Sequence, residues 1–261
     1  MVLFLGDSFT WGQGLEWELM ISESKDTSDT IKLINRSLTP PIEYCEHLPI
    51  KYQEFRETHR FPKLISNHFD VQYHVARFGN SGNNYDNKFI LENLNSFIVE
   101  GTPQLIVFQF TNPVRIGSLL TKEQIEKIGY VFDKEKIYLN QMDTSIFEEN
   151  VRSTLELIDD KFKDANIIFL SWLPEIGECF KKMGREDIFC KIDYNDKSDY
   201  GFEFLLQDDT IGNQTCLRYK HKGLRDAHLS IEGHKVVADS LIKKITDMGI
   251  EFNRPLNKIL I

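Results

Sequence analysis

Val2-Leu3-Phe4-Leu5-Gly6-Asp7-Ser8-Phe9-Thr10-Trp11-Gly12-Gln13-Gly14 opens the chain, and its reading decides the fold. Four consecutive apolar residues without alternation are the signature of a strand buried on both faces, which belongs in a parallel sheet covered by helices. Gly6 then lets the backbone turn sharply, and a serine hydroxyl follows just beyond the carboxyl end of that strand, where α/β sheets present groups to a cleft. Taken alone, the stretch 6–14 is equally a strand-to-helix turn with a capping serine. It is a poor phosphate cradle, because no Gly-Lys-Ser/Thr ending follows and the glycines miss the G-x-G-x-x-G spacing of a dinucleotide site.

The same kind of apolar run returns at 71–75, 105–110 and 167–172, each of strand length. Between the runs, 61–68 and 87–99 carry apolar residues at three and four spacing, and 144–162 places Ile146, Phe147, Val151, Leu155, Leu157, Ile158 and Phe162 in a helical stripe. Ser230 is a good N-cap for a last helix with Ile231, Val236, Val237, Leu241, Ile242 and Ile245 on one face. Strand and helix in alternation predict an α/β sandwich on a mainly parallel sheet. Two stretches break the alternation, about 16–60 and 175–225, and are expected to be insertions near the strand C-terminal ends that wall the site. No repeat or low-complexity tract appears, so 1–261 reads as a single domain.

Composition narrows the function classes. The chain has 261 residues, 41% apolar and 27% charged, with a formal net charge of −9. That charge repels a phosphate backbone and an anionic lipid surface, and no run approaches the ~20 apolar residues that cross a bilayer. Neither nucleic acid nor membrane is expected as a partner. The first residues lack a basic n-region and their apolar run stops at Gly6-Asp7, so no secretory leader is read and a cytoplasmic location is expected. Cys45, Cys179, Cys190 and Cys216 lie far apart with no C-x-x-C pair, and are expected to be reduced structural thiols. Neither they nor His228 and His234, six residues apart, have a metal-ligand spacing, so no metal and no cofactor is predicted.

Near the other end, Asp226-Ala227-His228 precedes the last helix, and on an extended loop residues 226 and 228 project to the same side. A carboxylate paired with an imidazole is what a serine needs at neutral pH, the imidazole to take its proton and the carboxylate to orient the ring. His228 alone is equally a loop histidine, and His234 reads as a helix-interior one. Two middle segments can donate to an oxyanion: Phe78-Gly79-Asn80-Ser81-Gly82-Asn83-Asn84, where a glycine can turn its N–H into a cleft, and Gln109-Phe110-Thr111-Asn112-Pro113, where Asn112 ends a strand. Each alone is also ordinary turn chemistry.

In this order the four segments resemble the SGNH, or GDSL, hydrolases: Gly6-Asp7-Ser8, then Ser81-Gly82-Asn83, then Asn112, then Asp226-x-His228. The resemblance runs from about residue 2 to residue 245. It implies a three-layer α/β/α sandwich with a flavodoxin-like parallel sheet and hydrolysis of carboxylic esters. It also implies Ser8 as nucleophile, His228 as base, Asp226 as its orienter, and an oxyanion hole from the Ser8 and Gly82 N–H groups and the Asn112 side chain. Two blocks depart from the family pattern. The third reads Phe110-Thr111-Asn112-Pro113 in place of Gly-x-Asn-Asp, and the last has Asp-x-His in place of Asp-x-x-His, with Arg225 three residues before the histidine. Asp7, Trp11 and Arg115 are candidate substrate contacts. The expected substrate is a small-molecule or carbohydrate ester with a short acyl or O-acetyl group. Acyl transfer by the same residues and a non-catalytic binding or structural module are the alternatives, and the oligomeric state is not read.

Overall fold

The computed structural model describes residues 1–37, 48–76, 103–110 and 144–252. Its first elements are β1 (Val2–Leu5), α1 (Ser8–Trp11), α2 (Leu15–Glu23) and α3 (Thr27–Ser37). Next come α4 (Ile50–His59), α5 (Phe61–Phe69), β2 (Tyr73–Val75), β3 (Leu105–Phe110), α6 (Thr144–Lys161), β4 (Asn166–Ser171) and α7 (Pro174–Lys182). A hairpin of β5 (Ile192–Tyr194) and β6 (Lys197–Asp199) precedes two one-turn helices, α8 (Gly212–Thr215) and α9 (Leu217–Lys220), and the chain of described elements ends with α10 (Ile231–Asp247).

The four apolar runs form one parallel sheet in the order β2-β1-β3-β4, with Val2 opposite Tyr73 and Leu105, and Leu105 opposite Asn166. This is the doubly wound arrangement with β1 in the interior, so the serine that follows β1 emerges from the middle of the sheet. Alternate residues serve opposite faces. Val2, Phe4, Leu105, Val107, Ile168 and Leu170 pack with Phe61 and Ile65 of α5 and Val237, Leu241 and Ile245 of α10. Leu3, Leu5, Ile106, Phe108, Phe110 and Phe169 pack with Val151, Leu155 and Ile158 of α6 and Ile176 and Phe180 of α7. The continuous apolar runs are thus explained: both pleat faces are buried, which gives the three-layer α/β/α sandwich.

Boundaries differ from the sequence expectation where local backbone decides. The run 71–75 yields a strand only over Tyr73–Val75, because Asp70 ends α5 in the left-handed region (φ 51°) and Val71 is spent closing that turn, its N–H on the Ser66 carbonyl. The stretch 175–225 does not simply break the alternation: α7 covers one face and Phe189 adds a parallel bridge beside Phe169 of β4. Within 16–60 the described residues are mostly helical, and α2 and α3 close a third apolar cluster, Trp11, Trp17, Ile21, Ile31, Ile34, Leu48, Leu217 and Leu224. Cys179, Cys190 and Cys216 are free and buried; Cys45 and the helix expected at 87–99 lie outside the described residues.

Candidate active site

Ser8 is the first residue of α1, directly after the turn that leaves β1. Asp7 caps that helix, its Oδ1 accepting the Phe9 N–H at 3.0 Å and the Gln109 amide at 2.8 Å. Gln109 in turn accepts the Thr10 hydroxyl at 2.5 Å, so the turn that bears Ser8 is tied to β3 at two points. Gly6 is required here, since a Cβ would stand 2.2 Å from Thr10 Oγ1 and 2.9 Å from Gln109 Cβ.

The loop bearing His228 is anchored independently. The His228 carbonyl accepts the Leu217 N–H at 3.0 Å, and Ser230 donates its N–H to Thr215 at 2.8 Å, while the Ser230 hydroxyl caps α10 by accepting from Gly233. This places His228 Nε2 2.8 Å from Ser8 Oγ, across 220 residues of sequence. Nδ1 of the same ring lies 2.5 Å from Asp226 Oδ1, which also takes the His228 backbone N–H at 2.9 Å. The two-residue spacing therefore reaches the partner that the sequence suggested. With Nδ1–H directed at a carboxylate, the Nε2 lone pair faces the serine hydroxyl, the tautomer a general base requires.

Asp226 is buried, and burial alone would raise its carboxyl; the His228 ring and backbone N–H together with the Trp17 indole outweigh it and hold the group below the usual carboxylate range. It is thus ionised at neutral pH. Its outer oxygen, Oδ2, accepts the Trp17 indole N–H at 2.8 Å. Close approach is possible because Gly14 sits at φ 93° with no side chain, and a Cβ there would lie 2.5 Å from Leu217 Cδ1 and 3.0 Å from Asp226 Oδ2. One residue further, Glu18 accepts the Ile231 N–H at 3.0 Å and the Lys220 ammonium at 2.7 Å. Burial works to raise the Glu18 carboxyl, but His221, Lys220 and the Ile231 N–H pull it down to about 2.

No family model matches this chain, and no curated protein matches it. Solved structures do. One is a family 2 carbohydrate esterase with a carbohydrate-binding domain from Corynascus thermopiles (Myceliophthora fergusii), 11% identical with a TM-score of 0.51, covering 95% of this chain and 66% of that one. Another, from Desulfitobacterium hafniense DCB-2 and described as a lipolytic protein of the G-D-S-L family, is 10% identical with a TM-score of 0.45 over 93% of this chain and 98% of its own. This chain shares its fold with the first of these. A family two carbohydrate esterase from Clostridium thermocellum in complex with cellohexaose is 12% identical, at a TM-score of 0.45, over 95% of this chain and 63% of that one. The chain spans just under two thirds of the length of these carbohydrate esterases.

Within this fold, the structure brings Ser8, His228 and Asp226 together. Gly82, Asn112 and Arg115 lie outside the described residues. Asp7 and Trp11, read as candidate substrate contacts, are buried at 2% and 4% exposure: Asp7 caps α1, and Trp11 lies under the Arg56 guanidinium at 3.7 Å. Ser8 is also buried, at 2% exposure, beside the His228 ring, which in turn lies 5.0 Å from the Phe9 ring. His234 is fully buried and stacked on Phe61, whose N–H its Nδ1 accepts; burial, joined by the charges of His228 and Arg60, depresses it to about 3, so it stays neutral. Trp17, Glu18 and Gln109 were not singled out by the sequence reading. The local signal available for them was weak: a polar residue inside an apolar strand at 109, and charged residues flanking a tryptophan at 16–18. Among the described residues no cluster of three or more His, Cys, Asp or Glu side chains forms a metal site, and no helix is long and apolar enough to cross a membrane.

Proposed function

We propose that this chain is a serine esterase acting through an acyl-enzyme on Ser8. The observation that carries the reading is the continuous hydrogen-bonded line from Ser8 Oγ through His228 to Asp226, at 2.8 and 2.5 Å. Ser8 Oγ attacks the ester carbonyl as His228 Nε2 takes its proton; the imidazolium, stabilised by Asp226, then protonates the leaving alcohol. Water repeats the sequence and releases the acid. The Ser8 and Gly82 N–H groups and the Asn112 amide are the proposed oxyanion donors. The proposed substrate is an ester of a short acyl group, an O-acetyl group foremost, on a carbohydrate or similar polar alcohol. Support for that class is the acidic surface and the likeness to a carbohydrate esterase, with Arg115 as the candidate contact to the polar alcohol.

The test is hydrolysis of p-nitrophenyl acetate, butyrate and octanoate by the intact chain and by folded Ser8→Ala and His228→Ala variants. Loss of a triad member costs roughly 10⁴-fold or more in kcat. Both variants are expected to lose that much, and activity is expected to fall with acyl length. Full activity in Ser8→Ala, or failure of a fluorophosphonate to label Ser8 in an inactive protein, refutes the reading and leaves a non-catalytic module.

A further inference from the structure

The short Asp-x-His spacing creates a problem that the structure solves from another element. Because Asp226 stands only two residues before His228, both His228 donors, Nδ1–H and the backbone N–H, converge on the same carboxylate oxygen, Oδ1. The second oxygen then needs its own donor, since the Asp226 side chain is only 1% exposed and an unsatisfied buried carboxylate oxygen is costly. That donor is the Trp17 indole, 209 residues away in sequence and itself 1% exposed. An indole N–H donates and cannot accept, and its rigid ring is buried in the apolar cluster that also holds Trp11, Ile21 and Leu217, so it is held to fix the plane of the carboxylate.

We propose that Trp17 is a positioning residue for the catalytic carboxylate: its indole N–H, held on Asp226 Oδ2, sets the orientation of Asp226 and, through it, of the His228 ring. This rests on the serine-esterase reading above. The consequence is a specific pH signature. Without the indole N–H, negative charge concentrates on Oδ1, which makes His228 more basic, and the carboxylate itself protonates more readily. Both changes move the acidic limb of activity to higher pH. The titratable and charged groups that face Asp226 among the described residues are His228 on its own loop, Glu16 of α2 with its partner Arg56 of α4, and the buried Cys216 thiol.

Trp17→Phe keeps the aromatic bulk and removes the donor. It is expected to lower kcat roughly ten- to hundredfold, the loss of one hydrogen bond to a charged group, with KM within twofold. It should also shift the acidic limb of kcat/KM upward by about half a unit or more. In the Asp226→Asn background the same change should cost little further, since its route runs through Asp226. A lowered kcat with an unmoved acidic limb, or effects of the two substitutions that simply multiply, overturns the proposal. A second readout needs no activity and no folded Trp17 variant. The Trp17 indole 15N–1H resonance of the Ser8→Ala protein is expected to move on introducing Asp226→Asn and to titrate at low pH; an indole signal unaffected by either sinks the proposal. Retained activity in Ser8→Ala sinks the esterase reading instead, so the two failures are distinguishable.

Discussion

Replacing Arg56 by methionine tests the buried electrostatics beneath the turn that bears Ser8. Arg56 Nη1 lies 2.6 Å from Glu16 Oε1, with the two side chains 5% and 0% exposed. The other Glu16 oxygen accepts the Gly14 N–H at 3.1 Å, next to the position that lets Asp226 approach. Charges at this separation attract by about 6 kcal/mol at an effective dielectric of ~20, most of which offsets their desolvation. Removing one partner leaves the other buried and unpaired, at a cost of about 3–5 kcal/mol. Methionine retains the apolar bulk of the stem and removes only the guanidinium, which also lies over the Trp11 ring, so this cost is chiefly electrostatic. At roughly 2–4 °C per kcal/mol for a chain of this size, the melting temperature should fall by about 6–20 °C at pH 8.

The pH dependence has a definite sign. Burial raises the Glu16 carboxyl above its usual value, with Arg56 as the chief opposing influence and Asp226 adding to the rise. A group whose folded pKa is raised contributes stability that is fully present below its unfolded pKa and is lost as pH rises through the folded value. Without Arg56 the folded value climbs further, so the variant loses most at neutral and alkaline pH. The gap to the parent chain should narrow toward pH 4–5, where Glu16 is protonated in the variant. Urea unfolding of both proteins at pH 5 and pH 8 measures this. A gap below about 1 kcal/mol, or one equally large at both pH values, refutes the argument.

Gly14→Ala should destabilise by about 2–4 kcal/mol from left-handed strain and overpacking, and should also lower kcat by displacing Asp226; unchanged urea midpoint and kcat would show that Leu217 and Asp226 yield freely. Gln109→Leu removes the amide that joins Asp7 and Thr10, leaving a buried hydroxyl without its acceptor, and should cost about 1–3 kcal/mol in chemical unfolding while the sheet persists by circular dichroism. Burial pushes the Cys179 thiol up to about 11 and Cys190 up to about 12, so these two should resist Ellman's reagent at pH 8 in the folded protein and react once urea unfolds it; rapid labelling of either in the folded state contradicts the packing.

The legible part of the sequence was whatever local chemistry writes down. Four apolar runs became four parallel strands because a strand buried on both faces has no polar alternation to blur it. Ser230 capped α10 as its side chain predicts, and Gly6-Asp7-Ser8 placed the serine at a strand end. Asp226 and His228 were legible as a pair because they are neighbours in the chain. Trp17 was not, nor were Arg56 and Glu16: the stretch that holds them reads as an insertion, and their partners are remote or pair only when helices pack.

By itself, then, the sequence determined the parallel α/β layering and the identity of a serine, a histidine and a carboxylate suited to one another, since hydrophobic period and short-range spacing depend on adjacent residues alone. Only the tertiary structure decided that Ser8 and His228 meet at 2.8 Å, that both histidine donors crowd onto one oxygen of Asp226, and that α2 supplies the donor for the other. The first and last of these are contacts between residues some two hundred positions apart. They exist only once β1 lies inside the sheet and α2 is packed beneath the loop that precedes α10, and no periodicity along the chain encodes them.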